Sequence, residues 1–315
     1  MSVPLLAALL LVQDPMMDWK KDYEAALKEA QKSSRFVVVH FGGPGCPPCK
    51  KMDEVTYANP RVIEHSNRNF VNVSVFLDQA NPLAEQFGIH SIPATFLVTS
   101  EGARVRKWEG YVGPEEYLKG LDGAVAAHKG LREIEPALRA EPESFELNRK
   151  LAGYLEDLGQ ARKAADALKK AAAKTAQPKV QAELLARAIS QLYDVEIDEA
   201  LNDEILAVAS QLDKADADGA LGRRGDALAA RAQVAMNREK PAEAIKYFEE
   251  IVEKHPGSDK APISLLWLGE LYHHHQKDGA KAEKALKKIL EKYPKSDVAE
   301  DAKAMLEHLK EHAEK

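Results

Sequence analysis

Residues 36 to 50 read Phe-Val-Val-Val-His-Phe-Gly-Gly-Pro-Gly-Cys-Pro-Pro-Cys-Lys, and no other stretch restricts the fold of this 315-residue chain as much. The run from Phe36 to Phe41 is short, β-branched and aromatic, the pattern of an inner strand. Gly42, Gly43, Pro44 and Gly45 stop it. Cys46 then falls where a helix should begin, so its sulfur meets free backbone N–H groups and the positive end of the helix dipole. That environment favours the thiolate, the reactive form of cysteine. Pro47 and Pro48 suit a first helical turn, whose N–H groups have no partner inside the helix. Cys46 and Cys49 are the only cysteines. A structural zinc site needs four ligands, and no histidine pair follows at finger-like spacing. Thiol–disulfide exchange is therefore the favoured reading, with an inert structural pair and a metal site as its alternatives.

The length allows two domains, each with its own core. A net charge of −6 without a Lys/Arg block gives no surface for nucleic acid. Aromatic residues concentrate in the first third, and Ala, Leu, Lys and Glu dominate afterwards, the composition of helices. The domains expected are a leader at 1–15, an α/β domain at 17–130 and an all-α domain at 131–315. Leu5 to Val12 is an unbroken apolar run, too short to span a bilayer but of the length of an export-signal core. No Lys or Arg precedes it and no Ala-x-Ala site follows, so a first core element or an early start codon is the alternative. With a cleaved leader the protein is extracytoplasmic, periplasmic or secreted; otherwise it is cytoplasmic. No other stretch has the length to cross a membrane.

In the first domain, Trp19, Tyr23, Ala26, Leu27 and Ala30 recur at helical spacing and predict a helix over Asp18–Lys32. A second helix follows the cysteines to about Ser66, with Met52, Val55 and Val62 as apolar contacts and a bend or interruption at Asn59-Pro60. Phe70–Leu77 reads as a strand, Pro82–Phe87 as a short helix ended by Gly88. Pro93 is placed at the opening, outer part of the next strand, because it cannot donate to a sheet ladder. Val105–Glu109 is a last strand and Pro114–His128 a closing helix, giving the order α-β-α-β-α-β-β-α.

These residues resemble the thioredoxin fold, and specifically its extracytoplasmic branches with an extended segment after the motif. The resemblance rests on Cys46-Pro47-Pro48-Cys49-Lys50 after a strand, on Gly88-Ile89-His90-Ser91-Ile92-Pro93, and on Gly110; it covers about residues 17–128. It implies a protein disulfide oxidoreductase without a cofactor, in which Cys46 attacks substrate disulfides and Cys49 resolves the mixed disulfide. It also implies a cis Pro93 facing the cysteines and an Ile92 backbone that pairs with the substrate chain. Three positions depart from the family pattern. Gly45 stands where Trp is usual, His40 replaces the buried acid of the central strand, and Ser74 replaces the lysine that partners that acid. His40 is accordingly a third catalytic candidate, placed under Cys49 to assist proton transfer; a core histidine bonded to the backbone is the alternative.

From Leu131 on, helix follows helix. Glu253-Lys254-His255-Pro256-Gly257-Ser258-Asp259 recurs as Glu291-Lys292-Tyr293-Pro294-Lys295-Ser296-Asp297. Ala244, Phe248 and Ile251 precede one segment; Ala282, Leu286 and Ile289 precede the other. Leu268, Gly269 and Tyr272 supply the helix before the later unit. This resembles tetratricopeptide repeats, which stack into a solenoid and imply a peptide or protein partner on the concave face. A fainter unit spans Phe145–Pro178, through Ala152, Ala164, Leu168 and Ala171, and Val180–Leu212 is helical but degenerate. Three or four repeats are expected, with a terminal helix from Ser296 to about His312. The excess repeat length is assigned to the loop at Gln276–Gly279. His273-His274-His275 point in different directions on a helix and read as a solvated helix end, not a metal site. Two functions fit the whole: an oxidoreductase whose repeats hold a substrate or partner protein, or a non-catalytic assembly protein with two binding modules. For the oxidoreductase the direction of electron flow is open.

Overall fold

The structure, a computed structural model, describes residues 16–77 and 81–313. The leader-like run lies outside these residues. Internal contacts divide the chain into two compact units, one reaching Glu133 and including Asp157–Gly159, the other made of Ile134–Glu156 and the residues from Gln160 on.

In the first unit, β1 (Trp19–Lys20), β2 (Phe36–Gly42), β3 (Phe70–Phe76), β4 (Ala94–Val98) and β5 (Arg104–Glu109) form one sheet in the order β1-β3-β2-β4-β5. β1, β3 and β2 run parallel, while β4 and β5 are added antiparallel. β2 lies in the middle with both faces covered, which accounts for its continuous apolar run. Val37, Val39 and Phe41 pack on one face with Val71, Val73 and Val75 of β3 and Phe96 and Val98 of β4, beneath Ala26 and Ala30 of α1 (Tyr23–Ser33). Each of these valine and phenylalanine side chains stabilises the fold by roughly 1.5–3 kcal/mol when fully buried. Val38 and His40, with Thr95 and Leu97 of β4, alternate onto the opposite face.

Three features differ from the sequence reading. The first helix starts at Tyr23, where the Asp22 carboxylate accepts the Ala25 N–H, and Trp19–Lys20 is instead a short strand paired with Asn72 and Val73. The helix after the cysteines is broken in three: α2 (Pro47–Lys51), a π-turn at Met52–Thr56, and α3 (Pro60–Asn69) capped by Asn59. The π-turn closes through Tyr57 N–H on Met52 O at 2.8 Å, one residue wider than an α-turn. That extra residue changes the helical phase: Met52 and Val62 are buried, but Val55 is 42% exposed. Pro93 opens β4, as the sequence predicts; it precedes the ladder of this interior strand between β2 and β5, so no sheet donor is lost. The closing helix α5 (Pro114–Ala140) continues well past His128, with Pro136 inside it. The short helix α4 (Pro82–Phe87) and its Gly88 end are as the sequence predicts.

The second unit contains α6 (Phe145–Asp157), α7 (Ala161–Ala173), α8 (Pro178–Leu192), α9 (Glu199–Ala215), α10 (Arg224–Asn237), α11 (Pro241–Lys254), α12 (Ala261–His274), α13 (Gly279–Lys292) and α14 (Ala299–Ala313). From α7 to α14 each helix packs on the next. The repeat-anchoring residues Ala244, Phe248, Ile251, Leu268, Tyr272, Ala282, Leu286 and Ile289 share one core. The two prolyl segments fold alike: Ser258 N–H bonds His255 O at 2.9 Å, and Ser296 N–H bonds Tyr293 O at 3.0 Å. The extra repeat length lies mainly in these links, 255–260 and 293–298, which are longer than the links 238–240 and 275–278 within the hairpins. The stretch read as degenerate forms two full helices, α8 and α9. No helix among the described residues is long and apolar enough to cross a membrane.

Candidate redox site

The end of β2 delivers the chain to Gly43, whose close surroundings leave no room for a side chain. A Cβ there would lie 2.7 Å from Leu77 O and 3.1 Å from Ile92 Cδ1. Gly45 then adopts a φ of 69°, a conformation L side chains rarely take, and turns the chain into α2. Cys46 is the N-cap of α2, its sulfur accepting the Cys49 N–H at 3.2 Å. Cys46 and Cys49 form a disulfide with Cα atoms 5.3 Å apart. Cys46 is partly accessible, while Cys49 is only 4% exposed. Only one of the two sulfurs is thus accessible from solvent.

The Ile92–Pro93 peptide bond is cis, and the Ile92 carbonyl oxygen lies 3.6 Å from Cys46 Sγ. Gly110 N–H bonds Pro93 O at 2.8 Å and ties the segment to the end of β5. The sequence candidates Cys46, Cys49, Ile92 and Pro93 therefore meet at one place, although more than forty residues separate the pairs in sequence.

A cleft of about 410 Å³ opens beside the disulfide, with His40, Cys46, Cys49, Asp53, Ser74 and Phe76 among its walls. His40 and Ser74 are register partners on β2 and β3. His40 Nδ1 lies 2.9 Å from Tyr57 Oη and 3.0 Å from Thr95 Oγ1, and those hydroxyls are 3.2 Å apart. Its ring nitrogen thus bonds side chains, not the backbone. Burial pushes the His40 imidazole down to about 4, so the ring is neutral at pH 7. Burial likewise holds the Tyr57 hydroxyl well above its ordinary range. Trp19 packs its ring 4.9 Å from that of Tyr57.

Sequence reasoning missed Tyr57, Thr95, Asp53 and Phe76. Thr95 was findable from strand pairing, since it is the register partner of His40 on β4. Asp53 follows Cys49 by one helical turn, a spacing that places two side chains on one face. Phe76, 58% exposed at the end of β3, carries no local signal that sets it at the cleft. Among the described residues no group of His, Cys, Asp and Glu is arranged to hold a metal ion.

Comparison with known proteins agrees with this geometry. Residues 23–124 match the family profile of a thioredoxin-like domain, and residues 229–297 that of a tetratricopeptide repeat. The TPR repeat-containing thioredoxin TDX of Arabidopsis thaliana is 35% identical over 86 residues, 27% of this chain and 21% of the relative. Its counterpart in Oryza sativa subsp. japonica is 30% identical over 107 residues, 34% of this chain and 31% of the relative. Thioredoxin H3 of Arabidopsis thaliana is 30% identical over 82 residues, 26% of this chain and 65% of the relative. The chain thus spans less than two thirds of the length of each of these relatives. It carries a thioredoxin-like domain at its N-terminal end and tetratricopeptide repeats after it.

Proposed function

We propose that the protein is a thiol–disulfide oxidoreductase acting on protein disulfides through Cys46 and Cys49, with residues 17–130 as its redox module and 131–315 as a module that holds a partner or substrate protein. The observation that carries this reading is the asymmetry of the pair: an accessible Cys46 at a helix N-cap beside the Ile92 carbonyl, and a buried Cys49 behind it. In the reducing direction the Cys46 thiolate attacks a substrate disulfide, and one substrate sulfur leaves with the electron pair and takes a proton. The Cys49 thiolate then attacks Cys46 Sγ, closing the internal disulfide and releasing the second substrate thiol. The Ile92 backbone and cis Pro93 dock the substrate segment next to the mixed disulfide. His40, neutral and in the same cleft as Cys49, assists the proton transfer that this second attack requires. Holding a partner on the repeats raises the local concentration of a disulfide near Cys46.

The test is equilibration of the full chain against glutathione buffers, with turnover of a disulfide-bonded protein measured in parallel. Cys46→Ser abolishes turnover, whereas Cys49→Ser accumulates a mixed disulfide. A potential near about −270 mV assigns a reductant and one near about −120 mV an oxidant. A pair that does not cycle reversibly overturns the reading and leaves an assembly protein.

A further inference from the structure

Once its disulfide is opened, the buried Cys49 thiol must lose a proton inside the protein before it can attack. The walls of the cleft limit what can take that proton. On the sheet side, β2 presents His40 and β3 presents Ser74 and Phe76, which carry no charge. Burial holds the His40 imidazole at about 4. Its Nδ1 is already engaged by the Tyr57 and Thr95 hydroxyls, which leaves that nitrogen no free position for the Cys49 proton.

On the helix side stands Asp53, four residues after Cys49 and on the same cleft wall. The same spacing is realised one residue further on, where Lys50 Nζ and Glu54 Oε1 lie 3.6 Å apart. The Asp53 carboxylate makes no hydrogen bond or ion pair among the described residues. Asp53 is exposed as a residue, and partial desolvation, with the nearby Glu54 charge, raises its proton affinity above that of an ordinary carboxylate. The other ionisable groups around it are committed: Lys50 to Glu54, Lys51 to the Tyr111 ring at 4.2 Å, and Tyr57 to His40 and Thr95.

The geometry points to Asp53 as the proton acceptor for the Cys49 thiol, a carboxylate offered from the helix side of the cleft where the central strand has only His40. This rests on the oxidoreductase reading above. With a substrate sulfur joined to Cys46, the Cys49 S–H proton passes to the Asp53 carboxylate through water, for which a cleft of about 410 Å³ has room. The Cys49 thiolate attacks Cys46 Sγ, the Cys46–substrate S–S bond breaks, and the electron pair leaves on the substrate sulfur, which takes a proton from solvent. Cys49 is oxidised and the substrate sulfur is reduced.

Stopped-flow reaction of the reduced full chain with dithiodipyridine separates the two steps, because each releases a coloured thione. In Asp53→Asn the first phase, attack by Cys46, keeps the wild-type rate. The second phase, attack by Cys49, falls at least about tenfold at pH 7 and rejoins the wild-type rate above about pH 9, where the thiol ionises unaided. Asp53→Glu retains most of the second-phase rate. An Asp53→Asn second phase equal to wild type at pH 7, or slowed by one factor at every pH, overturns the assignment. If the wild-type chain itself shows no second phase, the oxidoreductase reading fails together with it.

Discussion

Acidification should destabilise the thioredoxin-like unit through His40. In the folded protein this imidazole titrates at about 4, against about 6.5 when exposed, because its ring is buried among Tyr57 and Thr95. Between those two pH values the unfolded chain binds a proton that the folded chain refuses, so stability rises with pH across the window. The contribution is complete above about pH 6.5 and is lost as the pH falls through about 4. The displacement corresponds to about 3 kcal/mol, a sizeable part of the stability of a domain. His40→Asn removes the titrating ring while keeping a polar atom near the Nδ1 position. The variant is less stable than wild type at pH 7, and the difference shrinks by about 3 kcal/mol by pH 4. Carboxylates that titrate over the same range cancel between the two proteins. Urea unfolding in a Trp267→Phe background reads this unit through its two tryptophans, Trp19 and Trp108; the Trp19 ring lies 6.0 Å from that of His40. A stability difference that stays constant from pH 7 to pH 4 would refute the assignment of a buried, neutral His40.

Two further substitutions test the packing that shapes each unit. Gly43→Ala forces a methyl group against Leu77 O at 2.7 Å and against Ile92. Unfolding of the first unit should then occur at lower urea, by about 1–3 kcal/mol, since the backbone oxygen has no rotamer to retreat into. Gly269→Ala brings a Cβ within 2.9 Å of Leu286 Cγ, a fully buried side chain of α13. Overpacking of about 1–3 kcal/mol outweighs a helix-propensity gain of up to about 1 kcal/mol, so the thermal midpoint of the repeat unit falls. Gly257→Ala, with nothing within 4 Å of its Cβ, leaves that midpoint unchanged and serves as the control.

The sequence by itself determined the class of each half and the local frame of the site. The apolar run Phe36–Phe41, the glycine turn and the two prolines after Cys46 specify a strand, a stop and a helix start, all within one short stretch. The recurring prolyl segments did the same for the repeats, because the links between successive hairpins share one turn chemistry. Such signals act between neighbours a few residues apart, where backbone preference and helical or strand period decide the outcome. Tertiary structure alone decided the surroundings of His40 and the walls of the cleft. Thr95 meets His40 from 55 residues away because β2 and β4 pair in one particular register. Tyr57 reaches the same nitrogen after a π-turn that no periodicity announced, and that turn also exposed Val55. Trp19 was drawn from a helical pattern into a strand because Asn72 and Val73 offered their backbone to it. A partner chosen by sheet register or by a shift in helical phase depends on the assembled core, and a one-dimensional pattern contains no term for it.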